Sequence, residues 1–281
     1  MARKRATMTD LLNDLTFRAL FDKFQLIAQN EWEWQGLPDG IEPRHIERLL
    51  FSKGFACFFR DPQMSHMCLE CDTGGDVNVY GDPLWYQVHG YNYQRTLDAD
   101  QCVIIRNNIM SLPTEPFVLH YVNKLTEAER TMDVNVKACK TPIVFACDDK
   151  DVLTFKRIFQ QVDGNVPAIF ADRGLNLDSI TAFQTGVKFM GNELMDYKRS
   201  VESDLLTFMG QNNTPVDKKE RLITDEAEAN DQLIESFADL QRQAREKACQ
   251  EINAMFGLSV SVCRRVENPV ENVEKEAPGN A

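Results

Sequence analysis

The chain carries 281 residues, 43% of them apolar, enough to bury a sizeable core as one large domain or two small ones. Its net charge of −12 is the wrong sign for a free-standing nucleic-acid binder, whose affinity comes mainly from Lys and Arg on phosphates. The 17 Phe exclude a chain disordered throughout, and no apolar run approaches the ~20 residues that span a bilayer.

Arg3, Lys4 and Arg5 form a short basic arm, which composition alone reads as a solvated terminus. Thr9 and Asp10 can cap a helix whose stripe of Leu11, Leu15, Phe24 and Ile27 is widened by Leu12, Leu20 and Phe21. That element is expected to continue past Trp32 and Trp34 and to end at Gly36, Leu37 and Pro38. Pro43 opens a second helix over about 43–53, and Gly54 ends it. A strand-rich stretch follows, with strands predicted at 55–59, 64–71, 77–80, 84–93 and 102–106.

After Pro113, Val118, Tyr121, Leu125, Ala128 and Met132 recur at spacings of 3 and 4. This is a helix of about 24 residues, stopped by Thr141 and Pro142. A small insert comes next, with a strand at 143–147, a helix at 151–161 and a strand at 168–171. Asp178 can cap a further helix to about 209, with apolar positions from Ile180 to Phe208 and Gly210 as its stop. At ~1.5 Å per residue it would be about 45 Å long and would need support from neighbouring elements or other subunits. Residues 211–228 read as a charged loop, 229–256 as a helix, 258–262 as a strand, and the acidic end from Glu267 as disordered.

Catalytic chemistry finds little support in this pattern. Cys68 and Cys71 form the one C-x-x-C, and a structural zinc site needs two more ligands at comparable spacing. Cys57 and His66 stand nearby, without a second C-x-x-C or H-x-x-x-H. Buried reduced thiols are the expectation, with no metal and no other cofactor. The basic start runs into an amphipathic helix without an apolar leader, so a reducing, cytosolic setting is expected. His45, His66, His89 and His120 join no recognisable nucleophile motif, and His120 is expected at a surface or interface. Neither a P-loop nor a G-x-G-x-x-G is present, which excludes a packaging ATPase on this chain. The carboxylates spread along helices read as solvated faces, so no enzyme is expected.

Several segments together carry a family likeness: EWEWQGLP at 31–38, GFACFFRDP at 54–62, KTPIV at 140–144 and GNVPAIFA at 164–171, together with the opening MARKR. KKERLITDE at 218–226 with ND at 230–231 is the most specific, and REKACQEIN at 245–253 with GL at 257–258 closes the series. In this order and spacing the sequence resembles the portal proteins of small, protein-primed, short-tailed phages, also called upper collar or head–tail connector proteins.

The resemblance implies a mostly α fold with a β-rich part: wing, long-helix stem and small α/β clip, assembled as a ring. It divides the chain into a basic arm (1–8), a wing (9–113), a stem helix (114–140), a clip (141–175) and a second stem helix (176–210). A channel loop (211–228), a wing or crown helix and strand (229–266) and a flexible tail (267–281) complete it. It implies a homo-dodecamer at one capsid vertex, with double-stranded DNA in the channel. Its other partners would be major capsid and scaffold proteins, a packaging ATPase, a lower collar or tail protein and, where one is used, a packaging RNA. No membrane is involved, and the protein belongs to the virion after assembly in the host cytoplasm. By resemblance the DNA-channel contacts match Lys198, Lys218 and Lys219, with Arg199 and Arg221 beside them, and the packaging-RNA contact matches Arg3, Lys4 and Arg5. The same lysines read otherwise as solvated surface. A nuclease and a non-portal capsid assembly or scaffold protein are the competing functions.

Overall fold

The computed structural model describes residues 8–140, 143–146, 181–184, 188–213 and 224–265. These fall into two compact units, divided between Thr126 and Glu127 and again between Lys198 and Arg199.

The larger unit begins with α1 (Met8–Gln29) and β1 (Trp32–Gln35). The first helix therefore stops before Trp32 instead of running past it. Along β1 the two Trp are buried and Glu33 and Gln35 exposed, a period of two that suits a strand. The side chain of Asn30 donates to the Leu26 carbonyl at 2.8 Å and closes the helix end. β1 pairs antiparallel with β9 (Ser261–Arg264), Trp32 opposite Arg264.

Helix α2 (Pro43–Lys53) ends at Gly54, whose φ of +84° and N–H contacts to the Leu49 and Leu50 carbonyls form the cap. A Cβ at Gly54 would collide with the Ser111 backbone, so a side chain is excluded by conformation and by space. The chain then enters an antiparallel sheet of β2 (Phe55–Asp61), β3 (Ser65–Thr73), β4 (Trp85–Gly90), β5 (Tyr93–Asp98) and β6 (Cys102–Arg106), ordered β5-β4-β3-β2-β6. The run 84–93, expected as one strand, is a hairpin that turns at Tyr91 and Asn92, the latter at φ +53°. The run 77–80 is not a strand. Asn78 Oδ1 accepts the N–H groups of Tyr80 and Asp82 and closes a turn there, leaving one bridge between Val77 and Pro83.

One face of the sheet, with Phe58, Cys68 and Ile105, packs on Ile46 and Leu50 of α2 and on Ala248 and Ile252 of α5 (Thr224–Phe256). The other face gathers Cys57, Phe59, Cys71, Val88 and Leu97. Cys68 and Cys71 lie three apart on one strand, an odd spacing, so their thiols point to opposite faces and cannot share a metal. Both are free and buried. A third cluster joins Phe24 of α1, Val118, Val122 and Leu125 of α3 (Glu115–Lys140), and Val201 and Leu205 of α4 (Gly191–Phe208).

In the smaller unit β7 (Ile143–Ala146) pairs antiparallel with β8 (Thr181–Gln184). The helix predicted from Asp178 is thus replaced by a strand at its start, and α4 begins only at Gly191. The spacing of Ile180, Phe183, Val187 and Met190 imitates a helix. Gly186 and Gly191 punctuate it, and β8 gains ladder hydrogen bonds from β7. At ~1.5 Å per residue the 18 residues of α4 span about 27 Å, well short of the expected length. Helix α5 starts at Thr224, five residues earlier than expected, so the end of the anticipated loop is helical. The helix expected at 151–161 and the strand at 168–171 lie outside the described residues.

Two polar contacts hold the larger unit. Arg245 of α5, 2% exposed, grips Glu47 of α2 through two nitrogens, at 2.8 and 3.1 Å. It also donates to the carbonyl and side-chain oxygens of Asn107, each at 3.1 Å, while Trp34 Nε1 donates to Glu47 at 2.8 Å. The second contact is Arg264, 3.3 Å from the buried Glu31 and 3.3 Å from Glu235, which also donates to the Gly210 carbonyl. Burial pushes the Glu31 carboxyl up to about 7, against the opposing pull of Arg264, Arg245 and a hydrogen bond from Gln211.

Arg245→Ala leaves the buried Glu47 carboxylate without its cation. A loss of about 3–5 kcal/mol is expected in urea unfolding, with Arg245→Met plus Glu47→Leu costing less than either alanine single. Because the folded pKa of Glu31 lies above its ordinary 4.5, its contribution to stability is fully present below pH 4.5 and is lost as pH rises to about 7. Thermal unfolding between pH 5 and 8 should show this decline, and Glu31→Gln should flatten it.

Candidate functional site

The site predicted for DNA contact is only partly within the described residues. Lys198 lies on α4, in the smaller unit, and its ammonium sits 2.6 Å from Glu129 Oε1 of α3. Both side chains are less than one-third exposed, at 24% and 30%, so the pair is partly shielded from water and salt. Lys198 is thus neutralised by a partner 69 residues away, which no sequence spacing announces. Arg199 is exposed beside it and engaged in contacts of its own. Lys218, Lys219 and Arg221, and the arm residues Arg3, Lys4 and Arg5, lie outside the described residues.

The start of α4 is tied to α3 by one side chain. Asn135 donates to the Lys188 carbonyl and accepts the Met190 N–H, both at 2.9 Å. Around it the helices keep apolar residues in water: Val134 and Val136 on α3, Met195 and Tyr197 on α4. In the larger unit Phe117 of α3 stacks on Phe208 of α4 at 4.5 Å, and Phe208 meets Phe237 of α5 at 5.7 Å. Apolar side chains left exposed along long helices are surfaces suited to a partner. Charged residues of both signs alternate with them, including Lys188, Glu193, Asp196, Lys198 and Glu202.

One convergence escaped the sequence reading. His45 of α2, His66 of β3 and His89 of β4 line one pocket of about 670 Å³, together with Arg48, Met64 and Tyr91. Burial and the nearby Arg60 hold His66 below the ordinary histidine value, and His89 lies 3.7 Å from Glu70. The three histidines come from three elements at unrelated spacing; the pairing of β3 with β4 and the packing of α2 on the sheet place them around one pocket. His120 is exposed on α3, its ring edge-on to Tyr121. Among the described residues no three His, Cys, Asp or Glu side chains are grouped so as to hold a metal ion.

A family model described as Phage Connector (GP10) matches residues 3–268. Among solved structures, the portal and tail of native bacteriophage P68 contains a chain that aligns with a TM-score of 0.50 at 13% identity. The alignment covers 96% of this chain and 94% of that one. An HK97 family phage portal protein from Corynebacterium diphtheriae aligns with a TM-score of 0.45 at 14% identity, covering 94% and 96% of the two chains. A chain in the virion of a native gene transfer agent particle gives 0.45 at 10% identity, over 91% and 80%. The likeness to the P68 chain is one of fold. The family match runs through both compact units and from the first helix to the last strand, so this chain belongs to the phage connector family, the portal proteins of the head–tail connection.

Proposed function

We propose that twelve copies of this chain close into a ring at one capsid vertex, through which the genome enters during packaging and leaves at ejection. The family match over residues 3–268 carries this reading. The exposed Val134, Val136, Met195 and Tyr197 on α3 and α4 support it, since a neighbouring subunit can cover them. The role is structural and non-catalytic. The chain would meet capsid and scaffold proteins at the head and a lower collar or tail protein outside. A packaging ATPase would dock on it during assembly in the host cytoplasm, before the ring becomes part of the virion. The segments quoted above favour a small, protein-primed, short-tailed phage. A scaffold protein, the alternative, would form no hollow ring, and a nuclease would be active as a monomer.

DNA has to slide, and each fixed phosphate contact adds affinity and salt dependence. The net charge of −12 and the pairing of Lys198 with Glu129 support a wall that centres DNA without gripping it. Lys218 and Lys219, with Arg221 beside them, are proposed as the sparse cations that touch the backbone. The arm residues Arg3, Lys4 and Arg5 would hold a packaging RNA through its phosphates, without base readout.

Negative-stain imaging of the purified protein should show a closed twelve-fold ring with a central hole, and any solid or open particle refutes the proposal. Lys218→Ala with Lys219→Ala should lower DNA retention or packaging and leave the ring intact. Loss of the ring in that variant would reassign these lysines to assembly. Deleting residues 2–5 should weaken RNA binding by the assembled ring, and unchanged binding removes the RNA role from the arm.

A further inference from the structure

Three thiols meet on one face of the sheet. Cys57 of β2 stands opposite Leu69 of β3 and Ile104 of β6. Cys71 and Cys102 lie two residues from those partners, and a spacing of two returns a side chain to the same face. All three belong to the core cluster there, Cys57 fully buried and the other two nearly so. Cys57 is within hydrogen-bonding reach of both neighbours, and none of the three is in a disulfide.

The three are not equivalent. Among the described residues β6 is an edge strand, paired with β2 alone, and Cys102 is its first residue. Cys102 also lines a groove of about 500 Å³, with Tyr86 and Arg106 from the sheet and Leu240 and Lys247 from α5. As a thiol it donates to the Asp98 carbonyl at 3.7 Å. The Cys57 thiol donates to its sulfur and holds Cys102 below the ordinary thiol value, against burial and the carboxylates of Asp100 and Asp98. The same contact holds Cys57 up. A favoured thiolate with a path from solvent is a nucleophile, and a second thiol beside it resolves the oxidised product.

We propose that Cys102 and Cys57 form a peroxide-reactive pair that closes into a disulfide between β6 and β2. The Cys102 thiolate attacks one peroxide oxygen, the O–O bond breaks, hydroxide leaves and Cys102 becomes a sulfenic acid. The Cys57 sulfur then attacks the Cys102 sulfur, the S–O bond breaks, and water departs with the Cys57 proton. The two thiols lose two electrons, and the peroxide takes them up. Diagonal neighbours on antiparallel strands stand about 7–8 Å apart at Cα, slightly more than a relaxed disulfide spans. Closure therefore draws the start of β6 toward β2, a shift that a strand paired on one side can follow. The thiol chemistry stands apart from the ring reading. Its timing rests on that reading: a reducing host cytoplasm keeps the pair open during assembly, and the staple closes in the released particle.

Hydrogen peroxide added to the reduced full chain, followed by alkylation and peptide mapping by mass spectrometry, tests this. A peptide cross-link joining Cys57 to Cys102 is expected, with a thermal midpoint higher by about 5 °C or more that returns to its starting value with a thiol reductant. Cys57→Ala should stop at the sulfenic acid on Cys102, trapped by a 1,3-diketone probe. Cys102→Ala should lose the cross-link, while the exposed Cys263 oxidises as in wild type. Wild-type circular dichroism identifies the variants that can be compared, and the wild-type map decides alone if neither folds. Oxidation of Cys263 with Cys102 and Cys57 both still reduced, or a cross-link from Cys57 to Cys71, overturns the pair. Negative-stain images of the same reduced sample report on the ring separately, so either result at the thiols leaves that reading standing.

Discussion

The junction of α2, β1, the end of β6 and α5 in the larger unit is arranged around a guanidinium that has lost its water. Arg245 and Glu47 are buried almost completely, and such a pair is tolerable only when every remaining donor and acceptor is matched. Asn107 supplies two oxygens and Trp34 an indole N–H, while the ring of Trp32 lies 5.1 Å from the Arg245 guanidinium carbon. These partners come from α2, β1, the end of β6 and α5. The directional bonds therefore fix the position of four segments, whereas the surrounding apolar contacts would tolerate sliding. Partners 198 residues apart in sequence meet here, so the chain cannot complete its core until its last helix arrives.

Arg264 extends that constraint to the end of α4. It links Glu31, at the junction of α1 and β1, to the Gly210 carbonyl and to Glu235 on α5. Gly210, at φ +73°, has Ala238 so close that a Cβ would be overlapped, so helix end and α5 are locked by sterics as well as by charge. The residue that ends the helix is thereby pinned to both the first and the last strand, through the pairing of β1 with β9.

How much of this was legible depended on how local the cause was. Helix α2 announced itself through Pro43 and Gly54, and α3 through its 3–4 spacing and Pro142, because caps and stripes are written in neighbouring residues. The strand at Trp32 was hidden because its partner, β9, is more than 200 residues away, and the aromatic pair fits a helix end equally well. β8 was hidden by a coincidence of spacing that only its pairing with β7 breaks. The split of 84–93 into two strands turns on Asn92 accepting a positive φ, a choice a single sequence leaves open. Of the candidate site, Lys198 came from family likeness, and its neutralising Glu129 from neither pattern nor likeness. The histidine pocket was illegible for the same reason: it exists only where α2 meets the paired strands β3 and β4.

The pairing of Lys198 changes what a cation at that position can do. An unpaired ammonium on a channel wall binds any phosphate that passes and releases counterions in doing so. An ammonium already 2.6 Å from a carboxylate has that attraction largely spent, and a phosphate must displace Glu129 before it gains the contact. In a ring of the proposed kind each such site would hold DNA weakly and let it go readily. Affinity would then depend on the local balance of Lys198 against Glu129 more than on the number of basic residues. An acidic chain is compatible with a DNA channel on this account, because the wall has only to avoid trapping the polymer. In such a ring the carboxylates would set the barrier between successive phosphate positions, and partial shielding of the pair from solvent would keep that barrier less sensitive to salt than an exposed lysine would.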